Sequence, residues 1–387
     1  MGIFKKKDAP QDGLIGVDIG AAGMKMVELA PEKGRLRLLT YGYSEWEDTA
    51  ETHESFLQDP KRAAEVFTQI YKESGMKVRK ANAALPSQSV FHAIITIPQP
   101  GTPKEDVKAL IEAQVSKLLP RPIEEMIIDS TIIDKHLLPK ALQEKGKKDK
   151  KKKSKEERVD VVEAVDSPED IVPQKKHIRV LVSGAPRDLV QKYVELFKQA
   201  KVDLVSLETE AFALVRSLVG KDPSRVMVVD IGSSRTNITV VHEGIPYLHR
   251  SVQAGGDKVT AGIAARMGTS QSEAEQMKLD LALSESASEI PDFIQAALQP
   301  IVHEVRYSLD LYAEQEFHSN QSVEKIIVTG GSAHLPHLDE VFTKELDANI
   351  YIGNPWARIG RPEGVRPILD EVGPKLSVAI GLAMKQK

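Results

Sequence analysis

A short pattern that occurs twice constrains the fold of this chain more than any other feature. The first copy reads Gly16-Val17-Asp18-Ile19-Gly20-Ala21-Ala22-Gly23-Met24-Lys25, and the second Val229-Asp230-Ile231-Gly232-Ser233-Ser234-Arg235-Thr236-Asn237. In each, an apolar run typical of a strand ends at an Asp, a Gly-bearing turn follows, and a second apolar run begins. One Asp-x-Gly turn is an ordinary β-turn signal. Two of them, each between strands, mark an internal echo, and a third turn, Val328-Thr329-Gly330-Gly331-Ser332-Ala333, closes a further strand with small residues.

These residue types suit a polyphosphate. Glycine lets backbone N–H groups come close to phosphate oxygens, and a carboxylate at a strand end can hold the hydrated magnesium that accompanies ATP. Two such turns facing each other clamp one polyphosphate, and the small residues at 330–333 leave room for a flat base or ribose against backbone.

The rest of the chain supplies strands and helices to carry these turns. Strands are expected over 14–18, 24–30 and 36–43, a helix over 60–73, and strands over 82–85 and 90–97. A helix over 103–119 begins at Pro103 and carries Val107, Leu110, Ile111, Gln114, Val115 and Leu118 on one face. Strands over 126–133 and 177–183 flank a stretch of different texture. Eight lysines fall between Lys145 and Lys155, followed by an acidic, Pro-punctuated run. Such composition buries too little surface to offset chain ordering, so 138–176 is read as a disordered insertion. Helices then follow over 186–200 and 211–218 around a strand at 204–207, with strands at 225–230 and 237–241. Helices over 257–267, 271–281 and 291–317, a strand at 325–328 and a helix after Pro336 complete the reading.

The order of the three turns resembles the actin/Hsp70/hexokinase superfamily. That resemblance implies an α/β fold of the actin/Hsp70-like (ribonuclease H-like) type, with two related lobes around a nucleotide cleft and ATP with Mg2+ as ligands. It implies Asp18 and Asp230 beside the magnesium, through water; Gly20, Ala21, Ala22 and Lys25 by the phosphates; and Gly232, Ser233, Ser234 and Thr236 on the opposite side. Gly256, Gly330, Gly331 and Ser332 then line the nucleotide. Glu275 and Lys278 resemble the helix pair that touches ribose and base, although a solvated helix face explains them too. Glu208 and Glu210 fall in the segment linking the lobes, where relatives orient the attacking water, and are the candidate catalytic residues. A helix N-terminal acid favoured by the dipole is the alternative. Positions 21–23 are Ala-Ala-Gly where relatives commonly carry hydroxyls, so backbone donors alone face the phosphates and any ATPase is expected to be slow.

Further stretches resemble the PilM family of type IV pilus assembly proteins. They are 111–115 with its exit 119–129, Leu-Pro-Arg-Pro-Ile-Glu-Glu-Met-Ile-Ile-Asp, then 185–187, 210–214, 255–260 and 379–383, with Phe4-Lys5-Lys6-Lys7 ahead of the first strand. The resemblance implies an FtsA/PilM-type inserted subdomain. The expected division is a polar basic tail over 1–13, a first lobe from 14–89, 201–222 and 366–387, the insertion over 90–200, and a second lobe over 223–365. It further implies a cytoplasmic scaffold at the inner membrane whose partners are the N-terminal peptide of PilN and other pilus platform or motor proteins, with self-association among its relatives' habits. The peptide groove is expected between the first lobe and the insertion, with Ile94, Ile95, Val107, Ile111 and Val115 serving either the groove or the core. An FtsA-like division scaffold and a sugar or acid kinase are the alternatives. The chain stops at Lys387 directly after a domain helix, which argues against an FtsA-type anchor or the span of type II secretion relatives, and no second substrate motif supports a kinase.

Composition sharpens the exclusions. Cysteine is absent, removing disulfides, thiolate metal sites and Cys nucleophiles. The net charge of −4 gives no global attraction to nucleic acid, and no specific nucleic-acid partner is expected. No window approaches the roughly 20 apolar residues of a membrane span, and Lys6 stands where a myristoylation motif needs Ser or Thr. A soluble cytoplasmic protein is expected. Lys5 to Lys7 and the 145–155 run would be drawn to an anionic leaflet, each basic residue adding about 1 kcal/mol near the surface. A solvated loop accounts for the same residues.

Overall fold

Leu14–Gly20 (β1) is buried almost along its whole length, as a strand flanked on both sides and covered on both faces must be. It pairs antiparallel with Gly23–Glu32 (β2), which pairs with Arg35–Glu45 (β3). The computed structural model describes residues 13–45, 53–99, 107–134, 177–282, 291–314, 322–335, 338–346 and 348–385. Lys5 to Lys7, Pro103 and the expected insertion loop 138–176 lie outside the described residues.

After His53–Gln58 (α1), Pro60–Glu73 (α2) starts where sequence chemistry says it should. Asp59 caps it by accepting from the Lys61 and Arg62 amides at 3.1 Å, and Pro60 occupies its first turn. Lys80–Leu85 (β4) then runs parallel to β1. Phe91–Pro98 (β5), Val107–Val115 (α3), Met126–Ile132 (β6) and His177–Pro186 (β7) follow, and then Arg187–Gln199 (α4) and Asp203–Thr209 (β8), which pairs parallel with β4. Glu210–Leu214 (α5) continues into a single π turn over Val215–Val219. Next come Val226–Ile231 (β9), Thr236–His242 (β10), Ile245–Val252 (β11), Gly256–Met267 (α6), Gln271–Ala282 (α7) and Asp292–Glu314 (α8). Lys325–Thr329 (β12), Leu338–Leu346 (α9), Ile350–Ile352 (β13), Ile359–Gly360 (β14) and Arg366–Ala383 (α10) complete the order.

The sheets repeat one plan. The first has the order β14-β3-β2-β1-β4-β8 and the second β11-β10-β9-β12-β13. In both, an antiparallel three-strand meander is extended by two strands parallel to its first member. The second core gathers Val229, Ile231, Ile238 and Val240 from its meander with Leu298, Ile301, Val302 and Val305 of α8. Helix α10 lies on the first sheet so closely that a side chain at Gly16 would collide with the backbone of Ala379 and Ala383. Asn82 of β4, itself buried, donates to the Leu382 carbonyl at 3.0 Å and accepts from Ser206 at 2.9 Å, tying the end of α10 to the sheet.

The chain separates into two compact units, one of Met1–Val90 with Asp188–Lys387 and one of Phe91–Arg187. The smaller is a sheet of order β5-β7-β6 with α3 on one face. Ile95, Ile111 and Val115, for which a groove role was the alternative, are buried in its core with Ile178, Val180 and Val182. The sequence reading carried the insertion to residue 200, whereas α4 joins the larger unit. The reason is its apolar face: Tyr193, Leu196 and Phe197 are buried, and Phe197 meets Phe67 of α2 edge-on at 5.5 Å.

Candidate functional site

In the first hairpin Asp18 and Lys25 are cross-strand partners, and Lys25 Nζ lies 3.2 Å from Asp18 Oδ2. Ala21 and Ala22 form the two-residue turn between them. Both side chains are largely withdrawn from solvent, 15% exposed for Lys25 and 8% for Asp18. Burial by itself would lower the Lys25 pKa, but the charge and hydrogen bond of Asp18, with Asp230 and Glu210 behind, outweigh it and hold the pKa above the ordinary value.

The second hairpin places Asp230 opposite Asn237 in the same way. Asn237 Nδ2 donates to Glu210 Oε2 at 3.0 Å, and the Ser87 amide donates to the same oxygen at 3.2 Å. Burial, then the charges of Asp18 and Asp230, push the Glu210 pKa up to about 7 against the opposing Ser87 hydrogen bonds. Burial and Asp18 push Asp230 up to about 6, with Lys25 opposing. Asp18 bonds the Lys25 ammonium, and the charges of Asp230 and Glu210 also bear on it. The buried Tyr193 phenol stands in the same field, its pKa raised by burial, then by Glu210 and Asp18.

The third turn closes on this cluster. Gly330 has φ +95°, and a side chain there would come 2.7 Å from the Ile231 carbonyl carbon and against Asp230 Oδ1. Only glycine permits that approach. Its amide donates to the Pro374 carbonyl of α10 at 3.1 Å, and the Ser332 amide donates to Ile231 O at 3.2 Å. The start of α6 is joined to the second turn by Gly256 N to Gly232 O at 2.9 Å and Asp257 N to Ser233 O at 2.8 Å. A side chain at Gly256 would meet both Ser332 Oγ and, at 3.1 Å, Lys278 Nζ. Lys278 is buried and bridges Glu275 Oε2 at 2.7 Å and Thr260 Oγ1 at 3.0 Å. Lys278 is thus held by an ion pair and a hydrogen bond, while the Glu275 side chain stays 46% exposed. Ser234 and Gly331 are exposed at their turns.

Two expected site residues are otherwise engaged. Glu208, on β8, is ion-paired with Arg216 and with Lys385, the latter at 3.0 Å. Thr236 is fully buried, and its hydroxyl donates to Ala254 O at 2.7 Å. Conversely, sequence reading did not single out Asn237, Ser87 or Tyr193. A signal for Asn237 was available: it follows Asp230 by the same interval that separates Lys25 from Asp18.

The residues fit a magnesium nucleotide. Among the described residues no three His, Asp or Glu side chains lie close enough to ligate an ion directly. Asp18 and Asp230 suit a hydrated ion held through its waters. The Lys25 ammonium lies 3.0 Å from where a side chain at Gly20 would begin, so the first turn offers bare backbone beside a cation. Asn237 Oδ1 is buried without a partner among the described residues, an acceptor waiting for a donor.

Two sheets of one topology, each bringing an Asp-bearing hairpin to a shared carboxylate cluster, define an actin-like two-lobed α/β protein. The family described as type IV pilus assembly protein PilM matches residues 16–172 and 166–387, and the chain belongs to that family. Among solved structures, a chain of the PilM-PilN type IV pilus biogenesis complex superposes with a TM-score of 0.74 at 22% identity, over 97% of this chain and 98% of that one. Ethanolamine utilization protein EutJ from Carboxydothermus hydrogenoformans gives 0.52 at 16% identity, over 98% and 91%. Cell division protein FtsA of Streptococcus pneumoniae is 21% identical over 345 residues, 86% of this chain and 66% of its own length. FtsA of Enterococcus faecalis is 22% identical over 218 residues, 51% of this chain and 49% of its own. The chain thus spans between about half and two thirds of these curated relatives. Among the described residues no helix is long and apolar enough to cross a membrane.

Proposed function

We propose that this chain is a nucleotide-responsive scaffold of type IV pilus assembly, binding ATP with magnesium at the carboxylate cluster and the N-terminal peptide of PilN elsewhere on its surface. The observation that carries the nucleotide reading is the pairing of two Asp-bearing hairpins, with Asp18 3.2 Å from Lys25 in one and Asp230 across the strand from Asn237, itself bonded to Glu210, in the other. Like charges gathered this closely out of water are unfavourable unless a cation or a proton joins them. Asp18 and Asp230 would hold a hydrated magnesium, which supplies neutralising charge to the phosphates. The backbone at Gly20, Ala21 and Ala22, with Lys25, serves the phosphates on one side, and Gly232, Ser233 and Ser234 on the other. Thr236 buttresses the second turn from behind. Gly256, Glu275, Lys278, Gly330, Gly331 and Ser332 surround ribose and base. Glu210, and not the ion-paired Glu208, is the carboxylate placed to handle a water.

The lobes of this reading are the two sheet-bearing parts of the larger unit, which closes around the nucleotide, and the Phe91–Arg187 unit is the family's inserted subdomain. The partner reading draws on family membership and on the solved complex that pairs PilM with PilN. An extended peptide gains affinity from backbone pairing plus a few side-chain pockets. Through PilN the scaffold sits at the cytoplasmic face of the inner membrane, where nucleotide state is passed to platform and motor proteins, with self-association as a further interaction of the chain. The test is fluorescence anisotropy of a labelled PilN N-terminal peptide against the full chain without nucleotide, with ADP and magnesium, and with ATP and magnesium. Saturable binding whose Kd differs severalfold between nucleotide states is expected. Failure to bind, or one Kd in all three conditions, contradicts the scaffold reading.

A further inference from the structure

Arg235 is the last residue of the turn between β9 and β10, and the fold leaves part of its guanidinium without an acceptor. The residue is partly buried, and its Nη1 is shut off from solvent with no hydrogen-bond partner among the described residues. A buried charged donor in that state is costly unless an acceptor comes to it. The carboxylate cluster is not that acceptor. What opposes the raised pKa of Asp230 is Lys25, and what opposes that of Glu210 is Ser87. The turn itself adds further free donors. Its carbonyls at Gly232, Ser233 and Arg235 accept from the amides of Gly256, Asp257 and Gly232, at 2.9, 2.8 and 2.9 Å. The amides of Ser233, Ser234 and Arg235 donate to no backbone carbonyl among the described residues. Three successive free amides beside a guanidinium are the elements of an anion-binding concavity.

The order of the turn gives the guanidinium its place along a nucleotide. Gly232 and Ser233 are bonded to the start of α6, where a side chain at Gly256 would meet Ser332 and Lys278. Arg235 is at the other end and leads through Thr236 to Asn237, which is bonded to Glu210. With ribose and base at the α6 end, Arg235 stands toward the outer end of the phosphates. We infer that Arg235 binds the terminal phosphate of a nucleoside triphosphate and makes the site discriminate triphosphate from diphosphate. The inference rests on the nucleotide reading above and adds to it a residue and a specificity. A guanidinium suits the task because its planar fork takes two oxygens of one phosphate. Lys25, bonded to Asp18 at 3.2 Å, divides its charge between carboxylate and ligand. Arg235 brings a charge that the cluster has not claimed.

The experiment titrates ATP with magnesium, and separately ADP with magnesium, into wild type, Arg235→Ala and Arg235→Lys by calorimetry, each as the full chain. Thermal melting without ligand accompanies it. Arg235→Ala is expected to weaken ATP about ten- to a hundredfold, the worth of a charged hydrogen bond, and ADP by less than about threefold. Arg235→Lys keeps the charge and loses the fork, so its ATP affinity should fall between wild type and Arg235→Ala. Both variants should melt within about 2 °C of wild type without ligand. Unchanged ATP affinity in Arg235→Ala would overturn the inference. Equal losses for ATP and ADP would overturn it too, because they place the guanidinium on an inner phosphate. So would a fall of more than about 5 °C in the ligand-free melting of both variants, which marks a structural role. Wild-type chain that binds ATP and ADP alike overturns the discrimination and leaves the nucleotide reading intact. Wild-type chain that binds neither removes that reading and this inference with it.

Discussion

The two hairpins share topology and an aspartate, and differ in what stands across the strand from it. In the first, Asp18 faces Lys25 and the pair is neutral; in the second, Asp230 faces Asn237 and its charge has no counterion of its own. Their turns differ as well: two residues join β1 to β2, while four, Gly232 to Arg235, join β9 to β10. The duplicated fold therefore delivers an asymmetric site. One side carries the fixed cation and the other carries the unmet negative charge, which is why Asp230 is pushed up to about 6 and Glu210 to about 7.

The sharpest way to break this comparison is to neutralise each aspartate in turn. Asp18→Ala takes from Lys25 its hydrogen-bonded partner and leaves it the weaker field of Asp230 and Glu210, and is expected to destabilise the ligand-free chain by about 1–3 kcal/mol. Asp230→Asn removes a charge that the ligand-free fold opposes, and is expected to stabilise it by about 1–2 kcal/mol. Chemical denaturation of both variants measures the contrast. Equal effects of the same sign would show that the hairpins are not electrostatically distinct.

A second test uses pH. Both Glu210 and Asp230 have folded-state pKa values above their ordinary values of 4.5 and 3.8. Between those values and about pH 7 the folded chain retains protons that the unfolded chain has released, so stability falls as pH rises through this window. The ligand-free wild type should lose about 1–3 kcal/mol between pH 5 and pH 7.5 through these groups. The slope should flatten in the Asp230→Asn, Glu210→Gln double variant. A slope unchanged by the double variant would remove the cluster as its source. The smallest effect is at Thr236, whose hydroxyl serves Ala254 O. Thr236→Val should cost about 1 kcal/mol of stability and leave ATP affinity within about twofold. A large loss of affinity would return Thr236 to the phosphates.

Much of this site was legible in the sequence because the Asp-Gly turns are local. The apolar runs announce strands, and the glycines fall where backbone must approach backbone, as at Gly330 beside Asp230. The short edge strands β13 and β14, with three and two residues, carry no such pattern and were not anticipated. Neither was β11, where Arg250 and His249 interrupt the apolar alternation. The distinction between Glu208 and Glu210 was also beyond local reading. Both flank the junction of β8 and α5, and only the fold brings Arg216 and Lys385 to one and Asn237 and Ser87 to the other. Asn237 itself has no charge to draw notice. Its importance comes from strand register and from Glu210 arriving from another part of the chain.

The most direct measurement is calorimetric titration of ATP, with and without magnesium, into wild type and Asp18→Ala. Saturable binding that needs magnesium in wild type and is lost in the variant is the predicted result. Absence of binding in wild type, or equal affinity in the variant, would contradict the assignment of this cluster as the nucleotide site.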